Sequence, residues 1–124
     1  CAGCDEMHAE GFPRPEVAEL LQRFRVARAD IASAEALKTP NGKSLAMRDW
    51  ARQLKIAYTP SFVFFDAGGR EVFRVEGYLR PFHLASSLDY VASGAYRKQP
   101  EFQRFIEARA AARREKGEKI ELMK

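Results

Sequence analysis

The sequence predicts a single α/β domain, and three observations carry that expectation. Apolar residues recur at helical spacing in separate stretches around residues 15–23, 47–54 and 81–92. The run Ser61-Phe62-Val63-Phe64-Phe65, followed by Asp66-Ala67-Gly68-Gly69 and residues 71–75, reads as two strands joined by a tight turn. A Cys1-Ala2-Gly3-Cys4 pair stands ahead of the first helical segment.

Composition agrees with one globular domain. The chain has 124 residues, 46% of them apolar and 31% charged. Its longest apolar run is strand-sized, so no membrane span is expected. The formal charge is +4, but residues 104–124 hold seven Lys/Arg against four Asp/Glu, which leaves +1 on residues 1–103. A nucleic-acid-binding body is therefore not indicated. Two cysteines are too few for a disulfide-stapled scaffold. The chain opens on Cys1 with neither an initiator Met nor a charged and apolar leader, as a processed protein, a trimmed one or one with a further upstream segment would.

Taken in order, residues 5–10 are polar around Met7, and Gly11-Phe12-Pro13-Arg14-Pro15 separates them from the next helix. Pro15 suits a first helical turn, and Val17, Leu20, Leu21 and Phe24 give one apolar face, so residues 15–23 are predicted helical. Residues 25–31 alternate with Ala27, Ala29 and Ile31 on one side and predict a strand. Residues 33–43, containing Thr39-Pro40-Asn41-Gly42, predict a loop, after which Ser44 caps a helix carrying Met47, Trp50, Ala51 and Leu54. Trp50 is expected in the core.

The continuous apolar run at 62–65 predicts a central strand buried on both faces, paired antiparallel with 71–75. Leu84, Ala85, Leu88, Val91 and Ala92 predict a covering helix over 81–92, which Gly94 stops. A last helix from Pro100 buries Phe102, Phe105 and Ile106 before an Ala/Arg/Glu-rich stretch. The basic face from Arg104 onward reads as solvated.

With Cys1-Ala2-Gly3-Cys4 opening a helix, Thr59-Pro60 leading into an apolar strand, the Gly68-Gly69 hairpin, Gly77 after it and a closing helix, the chain resembles the thioredoxin-like family over about residues 1–92. The longer pattern, Cys4 followed by Met7-His8, Gly77-Tyr78-Leu79 and residues 90–96, is similar to the extracytoplasmic branch, which includes the thioredoxin-like protein of sulfur-oxidation systems. The resemblance implies a three-layer α/β/α fold with a mixed central sheet. Residues 1–96 would form the thioredoxin-like domain and 97–124 a charged helical C-terminal extension. The family also places a central strand immediately before the C-x-x-C, between the strands matching 25–31 and 62–65. No segment of this chain supplies it, so the expectation is that it comes from upstream residues or from another chain.

The resemblance implies a thiol-disulfide oxidoreductase. A helix N-terminus favours the thiolate, so Cys1 would be the nucleophile and Cys4, one turn along, the resolving thiol. Pro60 would be cis and pack against the disulfide, with Thr59 offering its backbone to an extended substrate. The expected partners are protein thiols and disulfides, the expected state is a monomer, and no cofactor is needed beyond the Cys1–Cys4 disulfide. The compartment would be the bacterial periplasm or another extracytoplasmic space, since both thiols sit in one motif and nothing else could mispair.

Read from the residues alone, Cys1 and Cys4 fit a plain structural disulfide or two idle thiols equally well, and Thr59-Pro60 fits an ordinary trans turn. His8 follows Cys4 at C-x-x-C-x-x-x-H spacing, but no second Cys/His pair completes a structural zinc site, so no metal is expected. Haem attachment fails because Asp5, not His, follows Cys4. Asp5 and Glu6 favour the helix start, and His83 is expected at the surface or as a cap. Two other functions compete: reduction of a peroxide or sulfur compound by the same cysteines, and a redox-inert module that binds a peptide beside Pro60.

Overall fold

The computed structural model describes residues 1–117. Its elements are α1 (Ala2–Glu6), a π-helical turn (Met7–Gly11), α2 (Pro15–Leu21), β1 (Ala36–Lys38), β2 (Ser44–Ala46), α3 (Met47–Gln53), β3 (Ser61–Phe65), β4 (Glu71–Glu76), α4 (Pro81–Ala92), α5 (Ala95–Lys98) and α6 (Phe102–Glu115). They fall into two compact units. Cys1–Arg25 joins Tyr78–Lys124 in the first, and Val26–Gly77 is the second. The part of the expected extension at 118–124 lies outside the described residues.

The first unit is helical. Its core is Met7, Val17, Leu84, Ala85, Leu88, Tyr90, Ile106 and Ala110. The π-helical turn, closed by the Phe12 N–H on the Met7 carbonyl at 2.9 Å, brings Gly11 against α4. A Cβ on Gly11 would lie 3.2 Å from Leu84 Cδ2, so the missing side chain sets how closely this turn approaches the helix. Ser86 and Ser87 are fully buried in α4 and donate to the Phe82 and His83 carbonyls at 2.7 and 2.9 Å, which satisfies both hydroxyls.

Helix α6 packs on this unit through the Tyr90 ring, which lies 5.0 Å from both Phe102 and Phe105. Phe102 and Phe105 are half-buried and Ile106 is buried. The solvated basic face expected here is corrected at Arg109. Its side chain is only 12% exposed, bonds Asp89 and Ser86 at 3.1 Å each and pairs with Glu16. Arg113 also pairs with Glu16, and both guanidinium groups lie over the Phe82 ring. His83 is half-buried, with its ring edge-on to Phe82.

The second unit holds two antiparallel hairpins. β3 pairs with β4 through a register that breaks between Phe64 and Phe65. Asp66 builds the turn, its Oδ1 accepting the Gly68 and Arg70 N–H groups at 3.0 and 2.9 Å. Phe64 is buried and the rest of β3 is half-buried, which corrects the expectation of a strand buried on both faces. Among the described residues β3 has one strand neighbour, and a strand needs cover on both sides to disappear from solvent. The parallel central strand of the family pattern is not among these residues. Trp50 is half-buried, stacked on Phe65 at 5.8 Å between ring centroids.

Two further expectations are corrected in this unit. Residues 25–31 are not a strand: they are exposed, with Val26 at 64% and Ile31 at 47%, and Asp30 turns the chain by accepting the Ala32 N–H on its side chain at 2.8 Å. Alternation selects a face but does not supply a ladder partner. Within 33–43, the predicted loop instead contains β1, which pairs with β2 around Thr39-Pro40-Asn41-Gly42. Thr39 closes that turn by donating its N–H to the Lys43 carbonyl at 2.7 Å. Ser44 consequently lies opposite Lys38 in the ladder, and Ala46, with no side-chain bond, occupies the cap position of α3.

Candidate functional site

The two cysteines meet at the first turn of the first unit. Cys1 and Cys4 are disulfide-bonded, with S–S 2.04 Å and Cα atoms 5.2 Å apart. Cys1 is the N-cap of α1, and its Sγ accepts the Cys4 backbone N–H at 3.0 Å. Its carbonyl accepts the Asp5 N–H at 3.1 Å, so both ends of the cap residue are engaged by the helix. Cys1 is exposed and Cys4 is half-buried. A thiol at a helix N-terminus facing a backbone N–H gains stabilisation of its anion, and only an accessible sulfur can attack another disulfide.

The residues around the pair are polar. Asp5, Glu6 and His8 are exposed, and the His8 ring packs edge-on against Phe12 at 4.9 Å. Met7 is buried, so one apolar side chain anchors the cysteine-bearing turn to the core of its unit. Among the described residues, no group of three His, Cys, Asp or Glu side chains is placed to hold a metal ion.

Thr59 and Pro60 lie in the second unit, directly ahead of β3. Their peptide bond is cis. Thr59 is exposed and Pro60 half-buried. The Pro60 carbonyl accepts the Gly77 N–H at 2.8 Å, tying the segment to the end of β4. Ser61 Oγ donates to the Tyr58 carbonyl at 2.5 Å, which spans the cis bond with a second tether.

These features define a class. The chain belongs to the thioredoxin-like domain family, whose model matches residues 1–92. Among solved structures, it is similar to a thioredoxin-fold protein from Helicobacter pylori, with a TM-score of 0.77 over 90% of this chain and 79% of that one. Sequence identity is 14%, so that likeness is one of fold. No curated protein sequence matches the chain. A thioredoxin-like fold carrying a Cys1–Cys4 disulfide suggests redox function.

Proposed function

We propose that this protein is a thiol-disulfide oxidoreductase acting on protein disulfides, with Cys1 as the attacking thiolate and Cys4 as the resolving thiol. The observation that carries the reading is the Cys1–Cys4 disulfide at the head of α1, with the exposed Cys1 Sγ accepting the Cys4 N–H.

In the reducing direction, the Cys1 thiolate attacks one sulfur of a substrate disulfide. The substrate S–S bond breaks, a Cys1–substrate disulfide forms, and the departing substrate sulfur takes a proton from solvent. The Cys4 thiolate then attacks Cys1 Sγ, closing the Cys1–Cys4 disulfide and releasing the second substrate thiol. Two electrons pass to the substrate, and an external dithiol restores the reduced pair. Thr59 and Pro60 hold the substrate chain, with the exposed Thr59 presenting its backbone to an extended segment. An extracytoplasmic compartment suits a chain whose two thiols share one motif.

Insulin reduction driven by dithiothreitol tests the proposal. Wild type should accelerate precipitation of the insulin B chain above the dithiothreitol background, and Cys1→Ser should abolish the acceleration. Full activity in Cys1→Ser would overturn the reading.

A further inference from the structure

Where the β1–β2 turn, the β3–β4 turn and α3 border one another, the second unit holds a cavity of about 280 Å3, with Thr39, Asn41, Trp50, Gln53, Phe65 and Glu71 among its walls. Small-ligand sites span roughly 300–1,000 Å3, so this one suits a single ring. One wall is apolar: the half-buried Trp50 ring stacks on Phe65 with 24° between the planes. The polar part is held in place. Thr39, only 6% exposed, accepts the Lys43 N–H at 3.1 Å and donates its hydroxyl to Asn41 Oδ1, which leaves the Asn41 side-chain N–H groups as free donors. The Trp50 indole N–H and the Gln53 amide have no hydrogen-bond partner among the described residues. No buried side-chain polar atom there lacks a partner, so both groups keep access to open space.

Charge narrows the ligand. Glu71 is the one ionisable residue in the walls, and Arg74 holds its two oxygens at 2.8 and 2.6 Å, which cancels its charge but leaves lone pairs to accept further bonds. The cavity therefore favours a neutral ligand. A purely apolar molecule would strip water from the Asn41, Gln53 and Trp50 donors and replace none of it. A pyranose answers both halves of the site, because its C–H groups meet the negative face of an aromatic ring while its hydroxyls donate and accept around the edge.

We propose that this cavity binds a neutral sugar ring, with the Trp50–Phe65 wall taking its C–H face and Asn41, Gln53 and Glu71 its hydroxyls. The site lies wholly in the second unit and does not depend on the sulfur chemistry of Cys1 and Cys4.

Trp50 is the chain's single tryptophan, so its indole N–H gives one proton–nitrogen resonance that reports on this cavity. The test titrates the 15N-labelled full chain with methyl β-glucoside. The indole resonance should move saturably with half-saturation in the low millimolar range, the scale a ligand of about a dozen heavy atoms reaches. Gln53→Ala should weaken binding about three- to tenfold, the scale of one lost hydrogen bond. Gln53 is exposed and unpartnered, so the thermal midpoint of that variant should match wild type and separate a binding defect from a folding one. Cyclohexanol, with a similar ring but one hydroxyl, should not saturate the site, and methyl β-glucuronide should bind more weakly because its carboxylate loses water without gaining a cation. A shift that stays linear to about 100 mM glucoside, an unchanged half-saturation in Gln53→Ala, saturation by cyclohexanol, or equal or tighter binding of the glucuronide would each overturn the proposal.

Discussion

The backbone N–H of Cys4 meets Cys1 Sγ at 3.0 Å, so the sulfur that leads the motif is the one the helix turns its donor towards. A donor at that position favours a Cys1 thiolate once the disulfide is reduced, whereas Cys4 lies half-buried one turn inside. Cys1 should therefore be the more acidic and more reactive thiol. After reduction, iodoacetamide at mildly acidic pH should alkylate Cys1 first, read by peptide mass spectrometry. Faster labelling of Cys4 would reverse the two roles.

Arg109 should matter far more than its place in a basic helix suggests. Truncation to Ala strips Asp89, Ser86 and Glu16 of a shared partner in a site where the guanidinium is only 12% exposed. Charge-assisted hydrogen bonds at partly buried positions predict a loss of about 2–3 kcal/mol in urea unfolding. Arg109→Lys should recover little of it, because one ammonium cannot reach three acceptors in a planar fork.

Two glycines offer a matched comparison in the second unit. Gly42 and Gly69 both hold positive φ, +88° and +84°, but a Cβ on Gly42 meets open space. On Gly69 it would stand 3.1 Å from the Asn41 N and Pro40 backbone atoms. Gly42→Ala should cost about 1 kcal/mol for the conformation alone. Gly69→Ala should cost about 1–2 kcal/mol more, because backbone must yield. Equal losses in paired unfolding curves would contradict the contact between the two turns.

Stability should fall on the acidic side in two steps. Burial pushes the His83 imidazole below its ordinary value of 6.5. As pH drops through 6.5 the unfolded chain takes up a proton that the folded one refuses, so stability declines until the lower folded value is passed. Glu71 is held below its ordinary 4.5 chiefly by its hydrogen bond from Arg74, with desolvation opposing. Its contribution is present above 4.5 and is lost as pH falls through the folded value. His83→Gln should flatten the first decline and spare the second, measured as the unfolding midpoint against pH.

Legibility in the sequence tracked how local the cause was. Helix α4 has the bounds expected of it, Pro81–Ala92, because Pro81 at the first turn, the apolar spacing and Gly94 are all local signals. The β3–β4 hairpin is equally local, since Asp66 and the two glycines build its turn from their own side-chain and backbone chemistry. Residues 25–31 misled because their alternation describes a strand's faces while a strand exists only with a partner. Thr39-Pro40-Asn41-Gly42 reads as loop chemistry rather than as a hairpin, because the three-residue strands β1 and β2 on either side of it are too short for periodicity to register. The burial of Arg109 had no sequence signal at all: its partner Glu16 is 93 residues away, and nothing in an Ala/Arg helix distinguishes the arginine that turns inward.

The cysteine motif was legible as a pair, and its connection to one unit and of Thr59-Pro60 to the other was not. Spacing places Cys4 one turn from Cys1, but which sulfur takes the helix donor depends on Cys1 being the cap residue, a three-dimensional fact.

The division of labour between Cys1 and Cys4 is tested most directly by trapping. Reduced, desalted Cys4→Ser protein is incubated with excess insulin, and its intact mass is measured before and after dithiothreitol. One covalent adduct, mapped to Cys1 and released by the reductant, is expected, because the resolving thiol that would free the substrate is gone. No adduct in Cys4→Ser, or an equally abundant one through Cys4 in Cys1→Ser, would contradict the assignment of Cys1 as nucleophile.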